Sequence, residues 1–510
     1  MLLVSYMRLI RAGFVLAREG ALSLGDPSAL PASARMLIRM GRLIERGSVR
    51  KTGRVERLTR ALTRLGPTYV KFGQMLATRP DIVGPQIAED LSALQDRMPP
   101  FPEAAAQRIL KDALGSKADA LSALTPAIAA ASIAQVHKAV LDLGDGRTEP
   151  VAVKILRPGI EKRFRRDLES YYAGARLAER LVPSLKRLRP VSVVETLDHS
   201  ARLELDLRFE AASISEFAEN GKNDEGFVLP ELRWDQVAPN VLTTSWIEGI
   251  PLTDKKAVAA ADIDRKALAA HLLQSFLRHA IRDGFFHADM HPGNLFALEN
   301  GNGLAAVDFG IMGRIGPGER RFLAEILFGF ITRDYSMVAR RHFEMGYVPA
   351  DQSVDDFTLA IRSIGEPLHG RRSRDISMAR VLGQLFSITE LFHMQTRPEL
   401  LMLQKTMVLV EGVARDLDPD LDIWTVSEPV VAEWLRRQAG PIGRFEEMRA
   451  HGMRIAGFVA RLPEIAERAQ RLLVLAEAEK AAARRGRSGT IAGLLGLIAL
   501  LLALLIWRLW

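Results

Sequence analysis

Two short segments, one around Asp289 and one at Asp308, carry the residues best suited to chemistry. Asp289 is followed five residues later by Asn294, a spacing that suits phosphoryl transfer. Asp289 could orient or deprotonate an attacking oxygen, while Asn294 could hold a magnesium ion. Asp308 comes fourteen residues after Asn294, at the end of an apolar, strand-like stretch, and is a natural metal ligand. The two motifs together predict a magnesium-dependent site for phosphoryl chemistry.

Lys154 lies inside an apolar, strand-like segment, so its positive charge requires a partner. A buried ammonium is unfavourable unless it meets a phosphate or a carboxylate, and the phosphates of a nucleotide would satisfy it. Glu204, Asp206 and Glu210 supply three acids within two helical turns, and Asp206 and Glu210 share one helix face. We predict that Glu210 pairs with Lys154 and that Glu204 and Asp206 are active-site acids.

The position of a phosphate-binding loop, ahead of the strands, is occupied by alanines. The chain contains no GxGxxG pattern and reads Ala129-Ala130-Ala131-Ser132 at this point. The loop could present backbone amides or the Ser132 hydroxyl to phosphate, but alanine has less freedom than glycine to adopt left-handed turns. The sequence therefore predicts atypical nucleotide handling.

The elements that must position these residues are one hairpin and many helices. Residues 135–141 and 151–156 alternate as strands, with Asp145-Gly146 as the turn. Residues 160–220 and those after Gly318 show helical periodicity. The predicted class is therefore α+β, predominantly helical.

Composition excludes several classes of protein. A chain of 510 residues with 48% hydrophobic and 25% charged residues is globular and needs two or three folding units. A net charge of +8 over this length does not indicate nucleic acid as a partner. The absence of cysteine excludes disulfides, cysteine nucleophiles and thiolate-bound metals, so any metal must sit on oxygen or imidazole ligands.

Both ends of the chain have features found in segments that contact membranes. Residues 1–60 hold twelve Lys or Arg against four Asp or Glu, a pattern compatible with a solvated basic face or with contact to a membrane surface. Residues 491–507 form a run without charge, preceded by three arginines, and span about 26 Å as a helix. Extended to residues 490–509, this run predicts a C-terminal transmembrane anchor that leaves the upstream chain in the cytoplasm.

Further segments match the signatures of one family in order. On these residues the chain resembles the UbiB family, also called ADCK, of atypical protein-kinase-like proteins implicated in ubiquinone biosynthesis, over most of its length. The matching segments are Lys71-Phe72-Gly73-Gln74 as KxGQ, Ala129 to Ser132, Lys154, Glu204 with Asp206, the hinge Trp246-Ile247-Glu248-Gly249, the segments at Asp289 and Asp308, Lys405-Thr406, Glu411-Gly412 and Leu417-Asp418-Pro419.

The resemblance implies a two-lobed protein-kinase-like fold whose N-terminal helical extension covers the active site and occludes peptide substrates. It implies ATP and Mg²⁺ as cofactors. The implied roles are Lys71, Gln74, Glu204 and Asp206 in the active site, Lys154 and Glu210 as an ion pair, Asp289 in catalysis, Asn294 and Asp308 on magnesium, and Ala129, Ala130, Ala131, Ser132, Lys154 and Glu248 at the nucleotide.

Two observations support the occluded site independently. Ala288 stands where protein kinases usually carry the arginine that clamps a phosphorylated activation loop. A helical pattern restarts by about Pro317, which leaves little platform for a peptide. His287 and His291 flank Asp289, and the Pro292-Gly293 that follows breaks a helix, so structural histidines are expected there rather than metal ligands.

The predicted organisation runs from basic helices to a membrane anchor. Residues 1–60 are basic helices, 61–120 the KxGQ extension, 121–248 an N-lobe with inserted helices, 249–425 a C-lobe, 426–489 C-terminal helices and a linker, and 490–509 the transmembrane helix. The family typically ends in two spans, whereas this chain shows one clear apolar run.

The leading hypothesis is an ATP- and Mg²⁺-dependent kinase-like ATPase at the inner membrane that supports ubiquinone synthesis. Its expected partners are membrane lipids, prenylated quinone precursors and other ubiquinone-biosynthesis proteins, with no nucleic acid. The sequence does not determine the oligomeric state, and a homo-oligomer is one of the options left open. The alternatives are a small-molecule or lipid phosphotransferase and a nucleotide-switched scaffold without catalysis.

Overall fold

The computed structural model describes residues 2–22, 24, 36, 39, 41–47, 49, 52–77, 83, 85–92, 94, 98–144, 146–181, 189–298, 303–368, 384, 387–389, 391–394 and 398–439. The chain divides into two compact units, Met1–Ala432 and Glu433–Trp510. The described part of the second unit is the end of a helix, residues 433–439. The site described below lies entirely in the first unit.

Helices make up most of the described chain. In order they are α1 Leu2–Arg18, α2 Arg54–Leu65, α3 Pro67–Ala77, α4 Pro85–Ser92, α5 Glu103–Leu114, α6 Ile160–Leu181, α7 Pro190–Glu204, α8 Leu207–Asn220, α9 Lys255–Ala260, α10 Arg265–Arg278, α11 Pro317–Ile331, α12 Tyr335–Glu344, α13 Val354–Gly365, α14 Pro398–Leu417 and α15 Ile423–Ala439.

The strands form three sheets. In order they are β1 Leu121–Ser122, β2 Ala129–Ala130, β3 Ala134–Gly144, β4 Arg147–Leu156, β5 Phe227–Val228, β6 Val241–Ser245, β7 Ile250–Pro251, β8 Phe285–His287, β9 Leu295–Ala297, β10 Leu304–Ala306 and β11 Met312–Arg314. The five-stranded sheet has the order β1-β3-β4-β6, with β2 on β3. The other sheets are β5-β10-β9-β7 and β11-β8.

The hairpin β3–β4 organises the first lobe, and the prediction of this hairpin is confirmed. Its strands pair antiparallel with Val136 opposite Lys154, and β4 pairs on its other side with β6. Side chains alternate between a buried and a more open face, as the two-residue period of a strand requires. Val151 and Val153 on the buried face pack against Ala106 and Leu110 of α5. This packing holds the strand that carries Lys154.

The N-terminal helices α1 to α4 form a separate cluster with α6 and α7. Leu58 and Leu62 of α2 pack with Tyr69 and Val70 of α3 in one buried core. A side chain at Gly73 would meet the Leu62 side chain at 2.8 Å, so a glycine is needed where α3 crosses its neighbours. The KxGQ segment is therefore a tightly packed helix rather than a surface loop.

The second lobe begins after β6, where the chain passes through Glu248 into β7 of another sheet. Its core lies between α10 and α14, with the short strands β8 to β11 beside them. Helix α11 begins at Pro317, as predicted from the periodicity. The residues between Asp308 and Pro317 include β11, which pairs with β8, so the connection from Asp308 to α11 is short and anchored.

No helix among the residues that the structure describes is long and apolar enough to cross a membrane. The predicted anchor at residues 490–509 lies outside the described residues, as does most of the segment 426–489 that precedes it. That part of the predicted organisation therefore stays a prediction.

Candidate active site

The hairpin β9–β10 places Asn294 and Asp308 at the same end of two paired strands. Leu295 is the partner of Ala306, and the Val307 amide donates to the Asn294 carbonyl at 2.9 Å. Asn294 immediately precedes β9 and Asp308 follows Val307, so the antiparallel register brings the two predicted metal ligands together. This juxtaposition follows from strand pairing rather than from flexible loop positions.

Lys154 of β4 lies at the centre of the site and contacts two carboxylates from two other elements. Its Nζ donates to Oε1 and Oε2 of Glu210 at 2.8 and 2.9 Å. The same Nζ donates to Oδ1 of Asp308 at 2.7 Å. The predicted ion pair with Glu210 is thus present, and Lys154 also joins the first lobe to the second.

Asp308 is held in an unusual backbone conformation. Its φ of 62° lies in the left-handed region, which non-glycine residues rarely adopt, although Asp and Asn do so more often than most. Phe309 beside it is completely buried, with its ring 5.0 Å from that of His287 and 5.4 Å from that of Phe217. Phe217 lies on α8, the helix of Glu210, so this packing fixes both carboxylates relative to each other.

The charges of the cluster determine which groups are ionised. Burial alone would lower the pKa of Lys154, but Asp308 and Glu210 outweigh it and raise that pKa above its ordinary value. Partial desolvation works against ionisation of Asp308, yet Lys154 holds its pKa below the usual range. Burial raises the pKa of Glu210 to about 7 despite the pull of Lys154, and Asp308 adds to the rise. Asp308 is therefore the carboxylate of the pair that stays ionised around neutral pH.

His287 supports the segment around Asp289 and has the structural role expected for it. Its Nδ1 accepts the Asp289 amide at 3.1 Å, which leaves Nε2 protonated and 3.2 Å from the Val307 carbonyl. Burial lowers the pKa of His287, so the ring is neutral. The Asp289 side chain itself is 34% exposed and open to a substrate oxygen.

Helix α14 buttresses the same segment from behind. The hydroxyl of Thr406, which is completely buried, lies 3.1 Å from the Ala288 carbonyl oxygen and 2.9 Å from the Met402 carbonyl oxygen of its own helix, so its one proton is shared between them. Lys405-Thr406 was identified from the sequence only through the resemblance, without a role. The sequence carries no clear signal for this contact, because a threonine in a helix can satisfy its hydroxyl at the carbonyl four residues earlier, as Thr406 does at Met402.

The KxGQ helix α3 reaches the site through Lys71. Its Nζ lies 2.5 Å from Oε2 of Glu204, with both side chains mostly buried. The charge of Lys71 also contributes to the low pKa of Asp308. Gln74 lies one turn further along the same helix and is half-buried. The structure thus brings Lys71 and Glu204 together beside the cluster at Lys154.

Asp206 has a structural task that the sequence did not reveal. It is the N-cap of α8, and its Oδ1 accepts from the Arg208 amide at 3.1 Å. Its carboxylate also pairs with the Arg208 guanidinium, which lowers the pKa of Asp206. Because α8 carries Glu210, Asp206 helps to fix the start of the helix that presents the partner of Lys154.

We expect Asp206→Ala to lower the free energy of unfolding by about 1 kcal/mol, the usual cost of a lost N-cap. Asp206→Ser should keep most of the original stability, because serine is also a good N-cap residue. Asp264→Ala is the matched control, since Asp264 caps α10 through two amides. Chemical denaturation of these variants measures the capping role. If Asp206→Ser folds as well as the original protein yet loses nucleotide turnover, Asp206 acts in the site as well.

The alanine-rich segment forms the short strand β2 and the turn after it. Ala129 pairs with Val136 and Ala130 with Gln135, while the Ala131 amide donates to the Ala134 carbonyl at 2.8 Å. Ser132 is completely buried, so its hydroxyl could meet a phosphate only if the loop moved. Glu248 is exposed in the connection between the lobes.

The side chains present fit a magnesium-bound nucleotide. Magnesium usually takes one or two protein oxygens and completes its shell with phosphates and water. Asp308 offers a half-exposed carboxylate, and Nδ2 of Asn294 donates to the Asp289 carbonyl at 3.1 Å, which leaves Oδ1 of Asn294 for a metal. Among the described residues no group of three or more His, Asp or Glu side chains forms an alternative metal site.

The fold and the site together define a two-lobed, predominantly helical, kinase-like protein. Residues 93–342 match the ABC1 atypical kinase-like domain, and residues 361–422 match the UbiB helical domain. A protein of Marinobacter nauticus named probable protein kinase UbiB is 41% identical over 406 residues, 79% of this chain and 74% of that protein. A protein of Azotobacter vinelandii with the same name is 38% identical over 419 residues, which are 81% of this chain and 76% of that protein.

A solved structure shows the same architecture. The complex of Rv3197 with erythromycin from Mycobacterium tuberculosis has a TM-score of 0.50 and 27% identity, covering 71% of this chain and 90% of that one. The chain belongs to the UbiB family of atypical kinases.

Proposed function

We propose that the protein binds MgATP between its lobes and transfers the γ-phosphoryl group to water or to a small acceptor. The observation that carries this proposal is the junction of Lys154, Glu210 and Asp308, with Asn294 beside it. Lys154 would hold nucleotide phosphates, and Asp308 and Asn294 would hold magnesium. A bound magnesium ion would neutralise charge on the phosphates. Asp289, half-exposed beside them, would orient the attacking oxygen.

The geometry favours a small acceptor over a peptide. Lys71 of α3 pairs with Glu204 beside the cleft, so the N-terminal helices cover one side of it. The segment after Asp308 returns as β11 onto β8 rather than extending as a platform. Water would make the protein an ATPase, whereas a lipid or another small molecule would make it a phosphotransferase.

The biological role that we propose is support of ubiquinone biosynthesis at the cytoplasmic face of the inner membrane. Membership of the UbiB family supports this role. The partners would be membrane lipids, prenylated quinone precursors and other proteins of the same biosynthesis. Nucleotide turnover would then serve to handle lipid precursors or to organise the biosynthetic complex.

Helix α1 supports the membrane part of this proposal. Leu3, Met7, Ile10 and Phe14 form one stripe and are 74%, 55%, 72% and 47% exposed. The opposite face packs small residues such as Ala12 against the protein. The helix contains three arginines and no acid. An outward apolar stripe with cationic flanks fits the interface of an anionic bilayer.

We expect α1 to enter the headgroup region of anionic vesicles. Because the chain has no cysteine, an Ile10→Cys variant can carry one environment-sensitive dye. Its emission should rise and shift to the blue with anionic vesicles, and Arg11→Gln with Arg18→Gln should weaken this response by about 2 kcal/mol, roughly thirtyfold. The control is Leu359→Cys, at an exposed leucine of α13. An equal response at both positions, or none at Ile10, would contradict membrane contact through α1.

The function is tested by following ATP turnover in the purified protein. Phosphate release and transfer of labelled γ-phosphate are measured with and without vesicles and phenolic quinone precursors. Release to water supports the ATPase, and label on a lipid or phenol supports the phosphotransferase. Absence of MgATP binding would refute both.

A further inference from the structure

His291 lies between the two residues of its segment that the proposed reaction uses, Asp289 and Asn294. The His291 amide donates to the Asp289 carbonyl at 2.9 Å, and the His291 carbonyl accepts the Asn294 amide at 2.9 Å. Two successive turns therefore fix the backbone of His291 relative to both neighbours. Its side chain is 45% exposed, and its Nε2 lies 3.8 Å from Oδ2 of Asp289. The ring thus stands beside the carboxylate that would orient the attacking oxygen.

The hydrogen bond of the ring determines which of its nitrogens carries the proton. Nδ1 of His291 accepts the Gly293 amide at 3.0 Å, so the proton of the neutral ring is on Nε2. The structural role that the sequence predicts for His291 is therefore carried by Nδ1. The contact of Nε2 with Asp289, at 3.8 Å, is longer than a hydrogen bond, and a ligand oxygen can accept from this N–H.

Gly293 allows the ring to occupy this position. A Cβ at residue 293 would lie 2.8 Å from Cε1 and 3.0 Å from Nδ1 of His291, closer than van der Waals contact. The backbone of Gly293 is not in the left-handed region, so close approach of the ring is the reason for a glycine here. The imidazole therefore packs directly on the main chain, and this packing holds Nε2 beside Asp289.

We propose that His291 is a further catalytic residue, whose Nε2–H donates a hydrogen bond to an oxygen of the transferring γ-phosphoryl group. This inference rests on the phosphoryl transfer proposed above, in which Asp289 binds the O–H of the acceptor. In a reactive complex the acceptor oxygen lies about 3–3.5 Å from the phosphorus that it attacks. A donor 3.8 Å from the Asp289 carboxylate is then within reach of the oxygens on that phosphorus.

His291 transfers no proton in this step. The acceptor oxygen forms a bond to the γ-phosphorus with its lone pair, and its proton passes to Asp289. The bond between the γ-phosphorus and the bridging oxygen breaks, and ADP leaves with that electron pair. The Nε2–H bond stabilises the charge on the oxygens of the transferring group. A neutral donor does this without competing, as a cation would, for the Asp289 carboxylate.

Two substitutions separate this contact from the structural role of the ring. The side-chain oxygen of asparagine can take the place of Nδ1 and accept the Gly293 amide, but asparagine has no group at the place of Nε2. The side-chain nitrogen of glutamine can reach that place as a donor. We expect His291→Asn to lower kcat for ATP turnover about a hundredfold and His291→Gln only about tenfold, since a donor to developing charge is lost in the first and retained in the second.

Gly293→Ala tests the placement of the ring while the histidine is kept. The added methyl group should push aside the imidazole, which is the free end of the side chain, at little cost to the fold. We expect kcat to fall about tenfold, because a misplaced donor loses much of its effect. In a His291→Ala background the same change should have almost no further effect, since no ring remains to be displaced.

The readouts are kcat from phosphate release, the Kd for MgATP from calorimetry, and the magnesium concentration that gives half-maximal rate. A merely structural role of His291 would act by moving Asn294, and would raise the Kd and the magnesium requirement. We expect both to stay unchanged in His291→Asn, because the hydrogen bond strengthens only as the phosphoryl group moves to the acceptor. His199→Asn, at an exposed histidine of α7, is the matched control and should turn over ATP like the original protein.

Two results overturn the catalytic role while leaving the proposed function in place. One is turnover by His291→Asn equal to that of the control. The other is a loss in His291→Asn that His291→Gln shares in full, or that a rise in Kd or in the magnesium requirement accompanies. If the original protein itself turns over no ATP, the proposed function fails, and the role of His291 fails with it.

Discussion

Replacing Asp308 with asparagine should reduce magnesium-dependent ATP turnover by about two to three orders of magnitude, the usual cost of removing a group that stabilises developing charge. Asp308 is the carboxylate that Lys154 keeps ionised, and it lies beside Asn294 at the strand ends. Asparagine is the right substitution because it tolerates the left-handed backbone at this position. The loss should therefore reflect chemistry rather than misfolding.

The measurement is steady-state phosphate release at several magnesium concentrations. Asp308→Asn should also need more magnesium for half-maximal rate, because one anionic ligand is gone. Asp235→Asn is the matched control, since Asp235 is 87% exposed and paired with Lys117. Turnover by Asp308→Asn within twofold of the control would show that Asp308 does not hold the metal.

Replacing Lys154 with methionine should destabilise the protein by about 3 kcal/mol at pH 8, in the range for breaking a buried ion pair. The variant leaves Glu210, which is 8% exposed, and Asp308 without the cation between them. Methionine keeps the length of the side chain along the strand, so the cost arises from charge. Denaturant unfolding at constant pH measures this change in the free energy of unfolding.

The pH dependence of this variant has a definite sign. The pKa of Glu210 is raised to about 7 in the folded protein, above the unfolded value near 4.3. The contribution of Glu210 to stability is therefore present at low pH and is lost as the pH rises through 7. Without Lys154 the folded pKa should rise further, so the stability of Lys154→Met relative to the original protein should recover as the pH falls from 8 to 6.

A double variant separates charge from packing. Lys154→Met with Glu210→Gln removes both members of the buried pair and should recover most of the lost stability at pH 8, because the one carboxylate left without its cation is then Asp308, which is 49% exposed. A loss of stability in Lys154→Met that is independent of pH and unchanged by Glu210→Gln would contradict the charge explanation.

Local patterns predicted the parts of the site that depend on neighbouring residues. The β3–β4 hairpin and the start of α11 follow from periodicity and turn residues over short stretches. The ion pair of Lys154 with Glu210, 56 residues further along, was also predicted, because a charge in an apolar strand requires a partner and residues 204–210 offered acids on a helix.

Other contacts between distant segments could not be predicted from the residues alone. Lys71 and Glu204 are separated by more than a hundred residues, and each reads as a surface charge on its own helix. Only the family resemblance indicated that α3 reaches the site. Asp206 was predicted as an active-site acid from its place near Glu210 and from the family's ExD motif, whereas its role as a helix cap depends on where α8 begins, which the sequence did not show.

The bonds between Arg157 and the alanine-rich loop could not be predicted for a related reason. An arginine just past a strand usually points to solvent, and its bond to Ala131 exists only because the loop folds back onto the strand. The predicted C-terminal anchor stays a prediction, since residues 490–509 lie outside those that the structure describes.

The central claim is that Lys154, Asn294 and Asp308 bind one magnesium-bound nucleotide. A crystal structure with magnesium and a non-hydrolysable ATP analogue tests it most directly. The claim predicts the metal at about 2.1 Å from oxygens of Asp308 and Asn294, with Lys154 Nζ on a phosphate oxygen. A nucleotide bound elsewhere, or a metal that touches neither residue, would contradict it.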